Sequence, residues 1–392
     1  MVRLDKKDDG GGRHHMGYIL VIVILLGLLI TEKTGYDLGN SSHETKQKKN
    51  KSTKKLKGKR QPESDKYKGS AVENYILNHA KELGYYNTDE GKFSEPSNRP
   101  DGCAIFKDPE VARPIYSVLN AFREELKNYQ KRVKTFSMED GVKDLRLHLD
   151  DKICDRLELH EDGFPGMFQI GVLSHGDSGY VEPILPPLRD PEFCFSGSKL
   201  MSLGHIVHDF AHMCRKLKRT SRVVFVDMGA SLDFHAQVES PAMYITSLYQ
   251  KFGFAFDHIY AFEVTQKKPE DVYKKVPTEL MGSYHWINVG VSTGKEDKMN
   301  PWKLLLENFN EDDFVVVKLD IDTSSLEVPL AHQLLEDDDL GKLVDSFYFE
   351  HHVHLENLQR NWGRSMNGTL ADSMKLFRGL REKGISAHYW PQ

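Results

Sequence analysis

Two carboxylates, Asp320 and Asp322, stand one residue apart at the end of the apolar run DFVVVKLDID (residues 313–322). Paired acids in such a place suit two kinds of chemistry: removal of a proton by a general base, or coordination of a divalent cation. Two other apolar runs end in residues that complement them. VVFV is followed by Asp227-Met228-Gly229, where a glycine permits a tight turn beside a ligand, and YAFE closes on Glu263, where an acid can hold both hydroxyls of a ribose. A further run ends in Glu350-His351-His352-Val353-His354, so His351 and His352 join Asp320 and Asp322 as candidate bases. The same histidines, with Asp320 and Asp322, offer the oxygen and imidazole donors that suit Mn²⁺ or Zn²⁺. The simpler expectation is a strand end carrying solvated histidines, with no metal site.

These residues need a scaffold that brings several strand ends to one rim. Residues 223–226, 256–262, 286–291, 314–319, 346–349 and 385–390 read as strands. Helical patterns fall between them at 243–252, 301–308, 326–335 and 370–381. Strand–helix alternation of this kind builds βαβ units, hence an α/β, mostly parallel sheet with helices on both faces. Residues 314–319 are apolar except for Lys318, as befits a central strand covered on both sides. Ligands of such sheets sit beyond the carboxyl ends of the strands, where Asp227, Glu263, Asp320 and Asp322 all fall.

The segments VFVDMGAS (224–231), YAFEVT (260–265) and VKLDIDTSSLEV (317–328), with YFEHH (348–352) as a weaker echo, resemble the FkbM-type S-adenosylmethionine-dependent methyltransferases. The resemblance covers about residues 222–390 and implies a Rossmann-like methyltransferase fold. It also implies S-adenosyl-L-methionine as cofactor. By it, Asp227 and Gly229, with Ala230 and Ser231, would line the methionine end, Glu263 would bind the ribose, and Asp320 and Asp322 would face the substrate. The chain departs from the family pattern at Ser231, Leu232 and Asp233 after the first turn, at Val264 in place of Pro, and at Thr323 in place of Gly.

The rest of the chain suggests where the protein resides. Residues 1–15 form a short tail. Residues 16–31, MGYILVIVILLGLLIT, carry no charge and read as a single membrane anchor. Residues 32–70 read as a basic disordered stem, and 71–221 as a helical, loop-rich extension before the 222–392 domain. Long loops such as the Gly- and Pro-rich 163–191 are often functional lids, and equally often wrap the core structurally. The first 60 residues carry a net charge of +8 and the remainder −13, which argues against a nucleic-acid-binding core. Cys103, Cys154, Cys194 and Cys214 could form two disulfides in an oxidising compartment, with three possible pairings, or remain four buried free thiols. Asn50-Lys51-Ser52 and Asn367-Gly368-Thr369 fit the glycosylation pattern. These features favour a type II arrangement with a lumenal catalytic part in the Golgi or endoplasmic reticulum. Within a helix expected over 200–217, His208-Asp209-Phe210-Ala211-His212 resembles the zinc-protease HExxH. Asp209 is too short to serve as the base, so histidines facing neighbouring helices are expected there.

The leading expectation is therefore a membrane-anchored O-methyltransferase acting on a hydroxyl of a glycan or small molecule. Two alternatives stand beside it. One is a type II glycosyltransferase using Asp320-Ile321-Asp322 as a metal-binding DxD; the other is a non-catalytic degenerate methyltransferase.

Overall fold

The computed structural model describes residues 67–80, 101–136, 177–185, 189, 191–195, 203–218, 220–231 and 241–390. The anchor, nearly all of the stem, most of the 163–191 loop, Cys154, Leu232 and Asp233 lie outside these residues. Among the described residues, no helix is long and apolar enough to cross a membrane.

Six strands form one sheet: β1 (Val223–Met228), β2 (His258–Phe262), β3 (Tyr284–Ile287), β4 (Phe314–Leu319), β5 (Val344–Phe349) and β6 (Ser386–Tyr389). Every pairing is parallel and the order is β3-β2-β1-β4-β5-β6, the Rossmann-like arrangement. The chain reverses direction across the sheet between β1 and β4, which are neighbours. The described helices are α1 (Ala71–Asn78), α2 (Pro109–Phe136), α3 (Phe210–Lys216), α4 (Pro241–Lys251), α5 (Pro269–Tyr273), α6 (Pro301–Asn308), α7 (Ser324–Glu336), α8 (Asp338–Leu343), α9 (Gln359–Trp362) and α10 (Leu370–Glu382).

Alternation along the buried strands divides the core in two. Val224, Val226, Val315, Val317 and Phe347 pack on one face against Trp302 of α6, Leu330 and Leu334 of α7, and Phe377 of α10. Phe225, Phe314, Val316 and Tyr348 face the other way, against Ile245 and Tyr249 of α4. The chain before Arg222 contributes to both layers: Ile76, Ile105, Ile115 and Leu119 enter the first, while Phe122, Tyr129, Val207 and Phe210 enter the second.

Buried polar links fasten that extension to the far edge of the sheet. Glu73, at the start of α1, forms a capping box with Ser70, accepts from the Ile184 amide and lies 3.6 Å from Arg381 of α10. Glu182 accepts from the Val207 amide and pairs with Arg189 and His388. Cys103 and Cys194 form a disulfide, and Cys214 is also disulfide-bonded.

The helix expected over 200–217 is shorter than its pattern suggests. Residues 206–209 are not helical, and α3 begins at Phe210 with Asp209 as its cap, its carboxylate accepting from the His212 amide. His208 therefore precedes the helix and bonds the Tyr348 hydroxyl, so the HDxxH spacing does not put two histidines on one helix face. Thr369 of the second glycosylation pattern is buried and caps α10.

Candidate functional site

A cleft of about 320 Å³ opens at the carboxyl ends of β1, β2 and β4. Gly229 and Ser231 from the turn after β1, Phe262–Thr265 after β2, Val289–Val291 after β3, and Asp320–Thr323 with Leu326 after β4 line it. It lies where the strand order reverses, the usual ligand position in an open parallel sheet.

The turn after β1 is shaped by its neighbour. Gly229 has φ +88°, and a Cβ there would sit 1.6 Å from the Asp320 carbonyl oxygen. The glycine thus allows the β1 and β4 turns to lie against one another. Beneath them Lys318 is wholly buried, with its ammonium 3.2 Å from both the Asp227 and Asp320 carboxylates and 3.3 Å from the Gly229 carbonyl. Burial opposes the charge on Lys318, but Asp227 and Asp320 outweigh it and hold the ammonium protonated. The only charge in an otherwise apolar strand is therefore the counter-ion of the site. Asp227 itself is buried, bound to Lys318 and not among the residues that line the cleft, and Ala230 is likewise buried.

Glu263 lines the cleft, half-buried. One carboxylate oxygen accepts from the Thr265 amide at 2.5 Å, and Asn288 braces the loop by donating to the Glu263 and Thr265 carbonyls. Val264 and Val289 flank it with much of their side chains exposed. Two valines turned outward at a cleft mouth suit a planar apolar ligand resting on them.

On the β5 side the expectation of solvated histidines is corrected: His351 and His352 are both buried. His351 stacks on Phe349, and burial pushes its pKa down to about 3. His352 stacks on Trp362 and comes within hydrogen-bond distance of Glu350, at 2.7 Å, with Asp322 at 3.7 Å. Burial likewise lowers its pKa, to about 4. Of the four candidate bases, Asp320 and Asp322 line the cleft, His352 stands behind Asp322, and His351 is in neither group.

Two acids complete the site that the sequence reading did not assign to it. Glu350 is buried, and burial together with Asp320 raises its carboxyl well above the ordinary range. Glu327, on the first turn of α7, accepts from the Ile321 amide at 2.8 Å, and burial raises its pKa to about 8. The alternation of a strand end was the available signal for Glu350, since residues 350 and 352 point one way and 351 the other. The floor is an acidic group of Asp320, Asp322, Glu327 and Glu350 around one lysine and one histidine. Comparisons with known protein families, with curated proteins and with solved structures return no match for this chain.

Proposed function

We propose that the protein is an S-adenosylmethionine-dependent O-methyltransferase of the FkbM type, anchored in a membrane and acting on a glycan or small-molecule hydroxyl in the secretory lumen. The observation that carries this reading is the shared cleft: Glu263, the Gly229 turn and the Asp320–Thr323 turn line one volume at the sheet's reversal point. The residues fit the cofactor. The Glu263 oxygen not engaged by Thr265 can accept a ribose hydroxyl, and Val264 and Val289 offer the apolar surface that an adenine needs. Gly229, Ser231 and Asp320 remain for the polar methionine end.

Bound there, S-adenosylmethionine supplies an electrophilic methyl group. The chain's own part is to orient an acceptor oxygen in line and take its proton. Asp322 is the exposed carboxylate on the cleft wall and is placed to receive that proton. Lys318 holds the Asp320 carboxylate beside it in an ion pair.

Disulfides at Cys103–Cys194 and Cys214 support an oxidising compartment. The ion pair of Asp320 with Lys318 weighs against a DxD that chelates through both carboxylates.

The test is a thermal-shift panel on the full chain with S-adenosylmethionine, S-adenosylhomocysteine and nucleotide sugars. A ligand at 100 times its Kd adds about 2.7 kcal/mol of stability. The first two are expected to raise Tm in the wild type but not in Glu263→Ala. Stabilisation by a nucleotide sugar alone, or unchanged cofactor affinity in Glu263→Ala, overturns the proposal.

A further inference from the structure

Three donor groups at the β4 and β5 ends converge on one point. One oxygen of Asp322, one of Glu350 and one ring nitrogen of His352 all lie within 4.8 Å of one another. Metal–ligand bonds of about 2.0–2.2 Å place the donors of one ion about 3.0–3.4 Å apart. The His352 Nε2 separations, 2.7 Å to Glu350 and 3.7 Å to Asp322, bracket that spacing.

The surroundings of His352 settle which nitrogen is available. The Ser365 hydroxyl donates to the Trp362 carbonyl at 2.7 Å, so its oxygen accepts from Nδ1–H of His352, also at 2.7 Å. The proton on Nδ1 leaves Nε2 with a bare lone pair directed at a Glu350 oxygen. That 2.7 Å contact is bridged either by a proton on Glu350 or by a metal ion that takes its place. A ring nitrogen held by a hydroxyl behind it, with the opposite nitrogen free, is the second-shell arrangement of a metal-binding histidine. A further observation points the same way. Glu350 is 1% exposed and faces the Asp320 carboxylate, yet its Oε1 meets no hydrogen-bond donor. Such a buried, unsatisfied oxygen calls for a ligand.

The third donor sits in unusual backbone. Asp322 has φ +55°, the one positive φ of a non-glycine residue among the described residues. That conformation brings an otherwise exposed carboxylate over the buried pair.

We propose that Asp322, Glu350 and His352 bind one divalent cation, Mn²⁺ or Zn²⁺, at the edge of the cleft. Two carboxylates and an imidazole suit these ions, and three protein ligands leave positions open for water or for an oxygen of the acceptor. Since Asp322 also lines the cleft, the ion can hold an acceptor hydroxyl and lower its pKa. This last role rests on the methyltransferase reading; the binding of the ion does not.

The test contains no S-adenosylmethionine, so the two readings fail separately. Chelator-stripped full chain is dialysed against Mn²⁺ or Zn²⁺ and the bound metal is counted by mass spectrometry. The wild type is expected to retain one equivalent that Asp322→Asn loses, with affinity at least 10-fold weaker. Asp322 is exposed, so this variant keeps the metal-free Tm within a few degrees. Ser365→Ala is expected to bind 10- to 100-fold more weakly, through loss of the Nδ1 brace. Equal metal retention by wild type and Asp322→Asn places the ion elsewhere, and no retention by the wild type leaves only a proton between Glu350 and His352. Either result overturns the proposal.

Discussion

Replacing Lys318 by Met tests the electrostatic floor of the cleft. The side chains are similar in length, so the packing of β4 changes little, but Asp227 loses its partner in a fully buried position. The carboxylate then either stays charged in the protein interior or takes up a proton. From an ordinary value of 3.8, protonation at pH 7.5 costs about 5 kcal/mol at 1.36 kcal/mol per unit. Breaking a buried pair by removing one partner typically costs about 3–5 kcal/mol. Asp320, its side chain 9% exposed, loses the same partner and adds to that cost. The expected loss is therefore about 4 kcal/mol or more at pH 7.5. The sign with pH follows from Asp227. Its folded-state pKa in the variant is raised, so the protonated form is favoured on folding and the loss shrinks as pH falls, by up to about 1.4 kcal/mol per unit. Urea denaturation of wild type and variant at pH 7.5 and 5.5 measures both quantities. Adding Asp227→Asn to Lys318→Met should restore most of the stability at pH 7.5. A loss under about 1 kcal/mol, or one that is equal at both pH values, refutes the reasoning.

Gly229→Ala places a methyl 1.6 Å from the Asp320 carbonyl oxygen at a positive φ. About 1–2 kcal/mol for the left-handed backbone and 1–3 for overpacking predict a loss of about 3 kcal/mol or more in chemical denaturation. Glu327, raised to about 8 in the folded protein, stabilises in its protonated form. That contribution is complete below about pH 4.5 and is lost as pH rises through about 8. In chelator-containing buffer, the decline in wild-type stability over this window should be shallower in Glu327→Gln, and equal slopes count against the raised value. Cys103→Ser removes the bond to Cys194 and is expected to cost about 2–4 kcal/mol, read as a lower Tm under non-reducing conditions.

The sheet was legible because its strands are buried runs with an apolar period that no helix shares. Residues 314–319 and the helix 301–308 fall where their patterns end, since Asn300 caps that helix ahead of Pro301. The expected strand 286–291 is instead Tyr284–Ile287; Asn288 leaves the ladder to brace the Glu263 loop. Residues 200–217 mislead because local pattern cannot register the Tyr348 and Glu182 contacts that hold 206–209 out of the helix. At the site, acids at the ends of single strands could be read one by one. The role of Lys318 could not, because it depends on Asp227 lying opposite it across β1 and β4. For the same reason a pair such as Glu350 and His352 gains meaning only when Ser365 arrives behind the ring.

The extension before Arg222 has a consequence for biosynthesis. Phe122, Tyr129 and Phe210 leave the ribosome before any strand of the sheet they cover, and Glu182 and Glu73 must await His388 and Arg381 near the far terminus. The early segments have no native surface to dock on until β1, β4 and β5 have been made. Folding is thus deferred until α10 and β6 have been made, and the nascent chain carries exposed aromatic side chains through that interval. Loss of α10 and β6 would leave Glu73 and Glu182 buried without Arg381 and His388.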